Sequence, residues 1–576
     1  MNTVLITFNS KYIHSSLALN SLATYAQKKG LAVKTLEFSL QTPLLSALSD
    51  VFACKPKVIG IAVHIWNRQL SLSLAKLIKK VMPESVLILG GPEVSYAVEE
   101  VFKELPAIDF IVQGEGEEVL YNLLKKIEDD NSGRGVKGAA WLSSNENVQL
   151  EEGPQIVKDL SELEFPYDFS GTIWENKIVY YESTRGCPFT CAYCLSGISR
   201  NVRSKPLDKV YGDLQRFIQA GVRQVKFVDR TYNLDKKHYL AIMKWLCKQE
   251  TKTNFHFEIK ADNLDEEVLA FLATVPKGRF QFEIGIQSVH EKTLAASGRS
   301  QDWHELKNAV KKIKSFGNIH LHLDLIAGLP YESAKDFAIS FNKVYTLQPD
   351  MLQLGFLKLL KGSLLEKNAE EYGYNFMPEP QYEVLSNNFI SYAELRELKL
   401  LEEVFDQTYN SGRFINSLQY INEELYEKDA YLFYSQLAQW WEQKGLFLLG
   451  HSYKTVTEHL ATFCQERRSN SECRRLLDCL RFDIILFHDK TYRPAWLCWQ
   501  TTGTGTPSEI FWRNNELVRR YLPGYKFTSW REINNNYHIE VFEHYFNKQE
   551  LKEKQAVLFI KDEGIYELLA KEDFFQ

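Results

Sequence analysis

The stretch KIVYYESTRGCPFTCAYC, residues 177–194, decides how the rest of the chain is read. Its first half is a short β-branched and aromatic run, and its second half carries Cys187, Cys191 and Cys194 behind Arg185-Gly186. Three of the nine cysteines thus fall within eight residues, just past an expected strand. Three thiolates on one short loop suit a single soft metal centre. A structural zinc ion wants four protein ligands, and the nearest further His or Cys, His238 and Cys247, lie a whole strand-and-helix unit away. Simple iron–sulfur clusters also take four cysteines as a rule, but a cubane that keeps one iron open fits three.

Downstream, strand-like runs recur at 225–229, 254–259, 280–288, 320–330 and 351–360, each followed by a helical pattern except the last. Repeated strand-and-helix units over this length imply a partial or complete barrel with its chemistry at the strand carboxyl ends. Upstream, near-continuous apolar runs at 4–8, 33–38, 58–63, 86–91 and 108–114 alternate with helix-length segments. That pattern belongs to a parallel sheet covered on both faces, the doubly wound α/β class, whose ligands sit at the strand carboxyl ends. Those ends carry Asn9 and Ser10, then His64 and Trp66, then Gly90-Gly91-Pro92-Glu93-Val94-Ser95, then Gly114-Glu115-Gly116-Glu117. Either glycine run alone is as well read as a turn. Both together favour a binding face.

These readings divide the chain into a first domain at 1–130, a linker of turn chemistry at 131–175, a barrel domain at 176–365 and a carboxyl-terminal region at 366–576. The last region is rich in Leu, Glu, Lys and aromatics at helical spacing over 385–450, and strand-like runs FDIILFHD and AVLFIKD follow after about residue 480. The expectation is a mainly helical α+β extension whose aromatics build a core, and which is a candidate substrate cap. Cys464, Cys473 and Cys479 lie at loose spacing in a helical stretch and read as inert buried thiols.

With 68 basic and 74 acidic residues the net charge is −6, which argues against a generally basic nucleic-acid surface. Nine cysteines among 576 residues are too few for a disulfide scaffold. The amino terminus lacks a signal-peptide pattern, and no run of about 18 apolar residues occurs, so a cytoplasmic chain without membrane contact is expected.

Cys-x-x-x-Cys-x-x-Cys, with Tyr193 before the third cysteine, resembles the signature of radical S-adenosylmethionine (SAM) enzymes. Glu283-Ile-Gly285-Ile-Gln287-Ser288 is similar to the family's E-x-G-x-Q-S strand, and Asp324-Leu-Ile-Ala-Gly328-Leu-Pro330 to its D-x-I-x-G-L-P strand. The resemblance implies a 4Fe-4S cluster on Cys187, Cys191 and Cys194 whose open iron binds SAM. It also implies Glu258, Gln287 and Asp324 as SAM contacts, Arg203 as the partner of the SAM carboxylate, and an external electron donor such as flavodoxin or ferredoxin. The first domain resembles the cobalamin-binding domain that precedes such barrels, with Asn9, Ser10, Trp66, Gly90, Gly91, Glu93, Ser95, Gly114, Glu115, Gly116 and Glu117 as cobalamin contacts. Many cobalamin proteins ligate cobalt with the histidine of an Asp-x-His-x-x-Gly loop. Here His14 has no Asp two residues before it and no Gly three after, so it is not expected to serve, and Tyr12, His64 and Trp66 remain open for the lower face.

The implied activity is methylation of an unactivated carbon of an unknown substrate, a small molecule or another kind, with nucleic acid disfavoured by the charge balance but kept open. The alternatives are cobalamin-dependent radical chemistry without methyl transfer and a non-enzymatic cobalamin and iron–sulfur binding module.

Overall fold

The computed structural model describes residues 2–170, 174, 177–198, 200–487, 492–499, 505–560 and 565–574. The chain forms two compact units, one of Met1–Ser340 with Leu347–Tyr392, the other of Phe341–Thr346 with Ala393–Gln576.

Among the described residues the first unit holds two main sheets and two short strand pairs. In the amino-terminal one, β1 (Thr3–Asn9), β2 (Val33–Ser39), β3 (Val58–Ala62), β4 (Val86–Gly90) and β5 (Phe110–Val112) are parallel in the order β2-β1-β3-β4-β5. Every residue of β1 is buried because both faces are covered. Val4, Ile6 and Phe8 pack into a core with Leu72, Ile78 and Val101, while Leu5 points the other way towards Leu19, Ala23 and Leu120. Residues 131–175, expected as a linker, instead contribute β6 (Ala139–Leu142) and β7 (Val148–Leu150), a hairpin that extends this sheet in antiparallel sense beyond β5. Its strands are short, and only Ala139 and Ala140 are fully buried, so turn residues dominate the local sequence and hide the pairing.

The second sheet is made of β8 (Val179–Tyr181), β11 (Gln224–Phe227), β12 (Asn254–Glu258), β13 (Phe280–Gln287), β14 (His320–Ala327) and β15 (Met351–Phe356), all parallel and paired in chain order. Sequential order with intervening helices makes a partial (β/α) barrel of six strands, and each expected strand is present. Asp235, Asp265 and Asp302 cap the helices after β11, β12 and β13 by accepting backbone N–H bonds. Along β13 the buried positions Phe280, Phe282, Ile284 and Ile286 alternate with Gln281, Glu283, Gly285 and Gln287. Period-two alternation therefore sends the apolar set one way and the polar set to the barrel interior.

Between β8 and β11 runs a short antiparallel pair, β9 (Thr184–Arg185) and β10 (Arg203–Ser204), in which Arg185 faces Arg203 in register.

The second unit contains the helices Ala430–Gln443, Tyr453–Gln465 and Asn470–Phe487, and an antiparallel sheet of Tyr537–Phe542, Gln555–Ile560 and Ile565–Leu568. Its aromatics build a core in which Phe405 packs on Phe341, Tyr434 and Tyr409. The run FDIILF, expected as a strand, is the last turn and a half of the helix Asn470–Phe487, and the rest of FDIILFHD lies outside the described residues. Asp478, Arg481 and Asp483 explain the misreading, since they are buried and satisfied by partners, which removes the polar stripe that marks a surface helix. Cys464, Cys473 and Cys479 are buried free thiols on these helices, and burial pushes Cys464 up to about 12. Among the described residues no helix is long and apolar enough to cross a membrane.

Candidate functional site

The cysteine loop leaves β8 through Ser183 and Thr184. Asp229, fully buried at the end of β11, accepts from Ser183 N at 3.0 Å, Ser183 Oγ at 2.6 Å and Thr184 Oγ1 at 2.7 Å, so two neighbouring strand ends are tied together beneath the loop. Burial pushes Asp229 up to about 6 despite these three donors. Gly186, at φ +93°, then turns the chain into Cys187. Further on, Ala192 N donates to Ser297 O at 2.9 Å and Leu365 N to Ala192 O at 2.9 Å. Gly298 packs against the loop so closely that a Cβ would lie 2.6 Å from Thr190 O.

Cys187 Sγ stands 3.8 Å from Thr231 Oγ1, and Ser196 N donates to Cys194 Sγ at 3.4 Å. Burial, and then the neighbouring Cys194 and Cys191, push the Cys187 thiol up. Ionising three neighbouring thiols together is costly unless a cation joins them. Yet among the described residues no three His, Cys, Asp or Glu side chains converge on one point as a single metal ion requires. A cubane suits that spread, because it takes each thiolate on a different iron.

The loop forms one wall of a cavity of about 220 Å³, and the other walls bring Glu258, Gln287 and Asp324 to it from three different strands. Register explains the gathering: Glu258 pairs with Glu283 across β12 and β13, and Gly285 pairs with Asp324 across β13 and β14. A Cβ on Gly285 would lie 2.2 Å from Gln287 Nε2, so that position must be glycine for the Gln287 side chain to fold back over it. Gln287 Oε1 is buried and has no hydrogen-bond partner among the described residues. An orphan acceptor beside two carboxylates fits a ligand rich in N–H and O–H donors, as the ammonium and ribose of SAM are.

The carboxylates are tuned apart. His256 Nε2 lies 3.0 Å and Lys226 Nζ 3.2 Å from Glu283 Oε2; burial pushes Glu283 up, but the His256 hydrogen bond and the Lys226 charge outweigh it and hold it down to about 2. Glu258 goes the other way: burial, then the Glu283 charge, push it up to about 7. His322 Nε2 is 3.1 Å from Asp324 Oδ1; burial nevertheless keeps Asp324 raised.

Several other expected contacts are placed elsewhere. Arg203 does not line the cavity: its Nη2 lies 2.6 Å from Glu115 Oε1, and it also donates to Val157 O. Arg299 and Arg230 are the guanidinia on the cavity wall, and Arg299 Nη1 is 3.9 Å from Cys191 Sγ. Neither lies on a strand, so no alternation pointed to it. Glu117 binds Arg185, and Glu93 accepts from Tyr382 OH at 2.7 Å with Arg68 nearby, so the carboxylates of both glycine runs serve contacts within the protein. These carboxylates are buried, and buried charge must be paired.

On the first domain's face, Asn9 is buried and donates to Glu37 Oε2 at 2.6 Å, whereas Ser10 is exposed. Gly91, at φ +108°, touches the end of β3, where a Cβ would lie 2.4 Å from Val63 O. Ser95 Oγ donates back to Gly91 O at 2.9 Å. Gly114, at φ +79°, abuts Gln155 O, and Gly116 abuts Leu22. Trp66 is 44% exposed, with its indole N–H on Phe8 O at 3.0 Å and its ring stacked on His64 at 4.5 Å. His14 Nδ1 lies 2.6 Å from Tyr180 OH, so it is engaged at the second sheet.

Residues 181–344 match the model of the radical SAM superfamily, residues 3–124 that of the B12 binding domain, and residues 370–559 that of a protein of unknown function (DUF4080). The cobalamin-dependent radical SAM methyltransferase TokK of Streptomyces tokunonensis is 22% identical over 453 residues, which cover 74% of this chain and 66% of TokK. The anaerobic magnesium-protoporphyrin IX monomethyl ester cyclase of Cereibacter sphaeroides is 26% identical over 293 residues, 48% of this chain and 47% of the cyclase. The chain thus spans about half to two thirds of the length of these two relatives. A solved structure of the cobalamin-dependent S-adenosylmethionine radical enzyme OxsB, with aqua-cobalamin and SAM bound, has the same fold at a TM-score of 0.61 and 16% identity, over 84% of this chain and 83% of OxsB.

Proposed function

We propose that this radical SAM protein, with its B12-binding domain ahead of the barrel and the DUF4080 region behind it, methylates an unactivated carbon of a small-molecule substrate. The observation that carries the reading is the cavity in which Cys187, Cys191 and Cys194 meet Glu258, Gln287 and Asp324. When bound, the cluster would supply one electron for reductive cleavage of SAM, and cobalamin would supply a methyl group.

The chain's own residues position and insulate. Cys187, Cys191 and Cys194 would hold the cluster at the cavity they line. Gln287 Oε1 and the Asp324 and Glu258 carboxylates accept from the donors of SAM. Arg299, beside Cys191, is the better placed cation for the SAM carboxylate than Arg203. Trp66 and His64 offer a flat aromatic face at the carboxyl ends of the first sheet, where the corrin ring would lie. An external one-electron donor of flavodoxin or ferredoxin type is required.

The likeness to TokK favours methyl transfer, and the likeness to the cyclase favours a second reading, radical chemistry without methyl transfer. Anaerobically reconstituted protein given methyl-labelled SAM, cobalamin, reductant and a metabolite extract separates the two. Label entering a product together with 5′-deoxyadenosine supports methylation; 5′-deoxyadenosine without label in any product supports the second reading. Neither 5′-deoxyadenosine nor label, from protein with an intact cluster, overturns both. Cys191→Ala is expected to abolish cluster uptake and SAM cleavage together.

A further inference from the structure

The run Gly114-Glu115-Gly116-Glu117 reads in sequence as a ligand loop of the first domain, yet both of its carboxylates face the barrel domain's cysteine loop. Glu115 Oε2 lies 3.1 Å from Arg185 Nη1 and 3.0 Å from Arg203 Nη1, and Glu115 Oε1 lies 2.6 Å from Arg203 Nη2. Arg185 and Arg203 are register partners in the β9–β10 pair, and everything between them is the loop that carries the three cysteines. A single carboxylate from the first domain therefore holds the entering and the leaving stem of that loop.

The neighbours reinforce it. Glu117 takes Arg185 at 2.7 and 3.2 Å, and Glu182 takes Arg185 Nε at 2.7 Å. On its own side Glu115 accepts from Val157 N at 2.9 Å, and Glu117 accepts from Ser21 Oγ at 2.8 Å, so both carboxylates are anchored before they reach across. Burial is the largest influence on each and pushes upward, but Arg203 and Arg185 beside Glu115, and Arg185 with the Ser21 hydroxyl beside Glu117, outweigh it and hold both below the ordinary carboxylate range. The group is thus ionised at neutral pH. Gly186 alone separates Arg185 from Cys187, so a shift of the guanidinium is passed to the first cysteine.

We propose that Glu115 is a positioning residue: by clasping Arg185 and Arg203 it fixes where the cluster loop stands against the cavity. The inference rests on the reading of Cys187, Cys191 and Cys194 as the cluster ligands. Placement matters at this scale because an error of about 1 Å in a reacting geometry costs about a hundredfold in rate.

The test uses the full chain, reconstituted anaerobically with iron and sulfide, as wild type, Glu115→Gln, Glu115→Asp and Arg203→Gln. Thermal unfolding checks the fold, the rate of iron loss to a chelator reports loop closure, and the electron paramagnetic resonance of the reduced cluster with and without SAM reports its position. Glu115→Gln is expected to fold and take up iron, to lose it about tenfold faster, and to give an altered SAM-dependent spectrum, because removing one partner of a half-buried ion group leaves the others less compensated. Glu115→Asp, which keeps the charge, recovers part of both signals. Arg203→Gln, which frees only the leaving stem, reproduces the change and decides the matter alone if Glu115→Gln does not fold. Wild-type iron loss and spectra in Arg203→Gln and in a folded Glu115→Gln overturn the clasp, even if both variants melt earlier. A wild type that takes up no SAM-responsive cluster overturns the parent reading and the clasp with it.

Discussion

Glu258 and Glu283 are register partners on neighbouring strands, but they titrate at opposite ends of the carboxylate range. Glu283 has His256 and Lys226 beside it; Glu258 has burial, with Glu283 and Asp324 pushing it up and Lys226 and Arg230 opposing. At about 7, Glu258 changes charge in the working range. A cationic ligand favours its ionised form, so SAM affinity is expected to rise with pH through about 7 and to level off above, while Glu258→Gln binds more weakly and with a flatter profile. Calorimetric titration over that range checks it, and identical profiles for the two proteins would sink the assignment. Glu332 offers a stability counterpart. Burial pushes it up to about 8 although Ser288 and Ser340 donate to it. The folded state then keeps a proton that the unfolded chain gives up above the ordinary value of 4.5, so this group's contribution falls as pH rises from there through about 8. Glu332→Gln lacks that dependence, and its melting temperature relative to wild type is expected to climb over this interval. At this scale the sequence was legible where chemistry dictates residue type, in the three cysteines and in Glu258, Gln287 and Asp324. The partners that Arg203, Glu93, Glu115 and Glu117 have within the protein were not legible, because a charged residue near a strand end looks the same whether it meets a ligand or another side chain.

Among the elements, the strands of both parallel sheets could be read in advance because burial on both faces leaves long apolar runs, and because polar and apolar positions alternate strictly along β13. The hairpin of β6 and β7 could not, since four and three residues carry too little pattern. Nor could the end of the helix Asn470–Phe487, where FDIILF reads as a strand because Arg481 and Asp483 are buried and leave no polar stripe. Turns that need glycine are a sharper case. Gly91 has φ +108° and ψ 170°, a conformation that side chains avoid, and a Cβ there would meet the backbone of Val63. Gly91→Ala is expected to destabilise the first unit by about 1 to 3 kcal/mol and to weaken cobalamin retention. A denaturation midpoint equal to wild type would contradict the need for glycine.

For the whole molecule, the order of parts follows from the sheets: a doubly wound domain, a six-stranded partial barrel within the same compact unit, and a second unit built mostly from helices. The acidic balance of the chain, −6 overall, conceals the arginines that matter, which are either paired across the two sheets or placed at the cavity. The aromatic wealth of the second unit goes largely into its own core. The central claim is that one chain holds an iron–sulfur cluster on Cys187, Cys191 and Cys194 and a cobalamin on its first domain. Anaerobic purification from cells supplied with cobalamin, with the absorption spectrum, iron and cobalt recorded on the same sample, tests it most directly. About four irons and about one corrin per chain are expected, with the iron lost and the corrin kept in Cys191→Ala. A wild-type chain that carries zinc in place of iron, or no corrin absorbance, contradicts it.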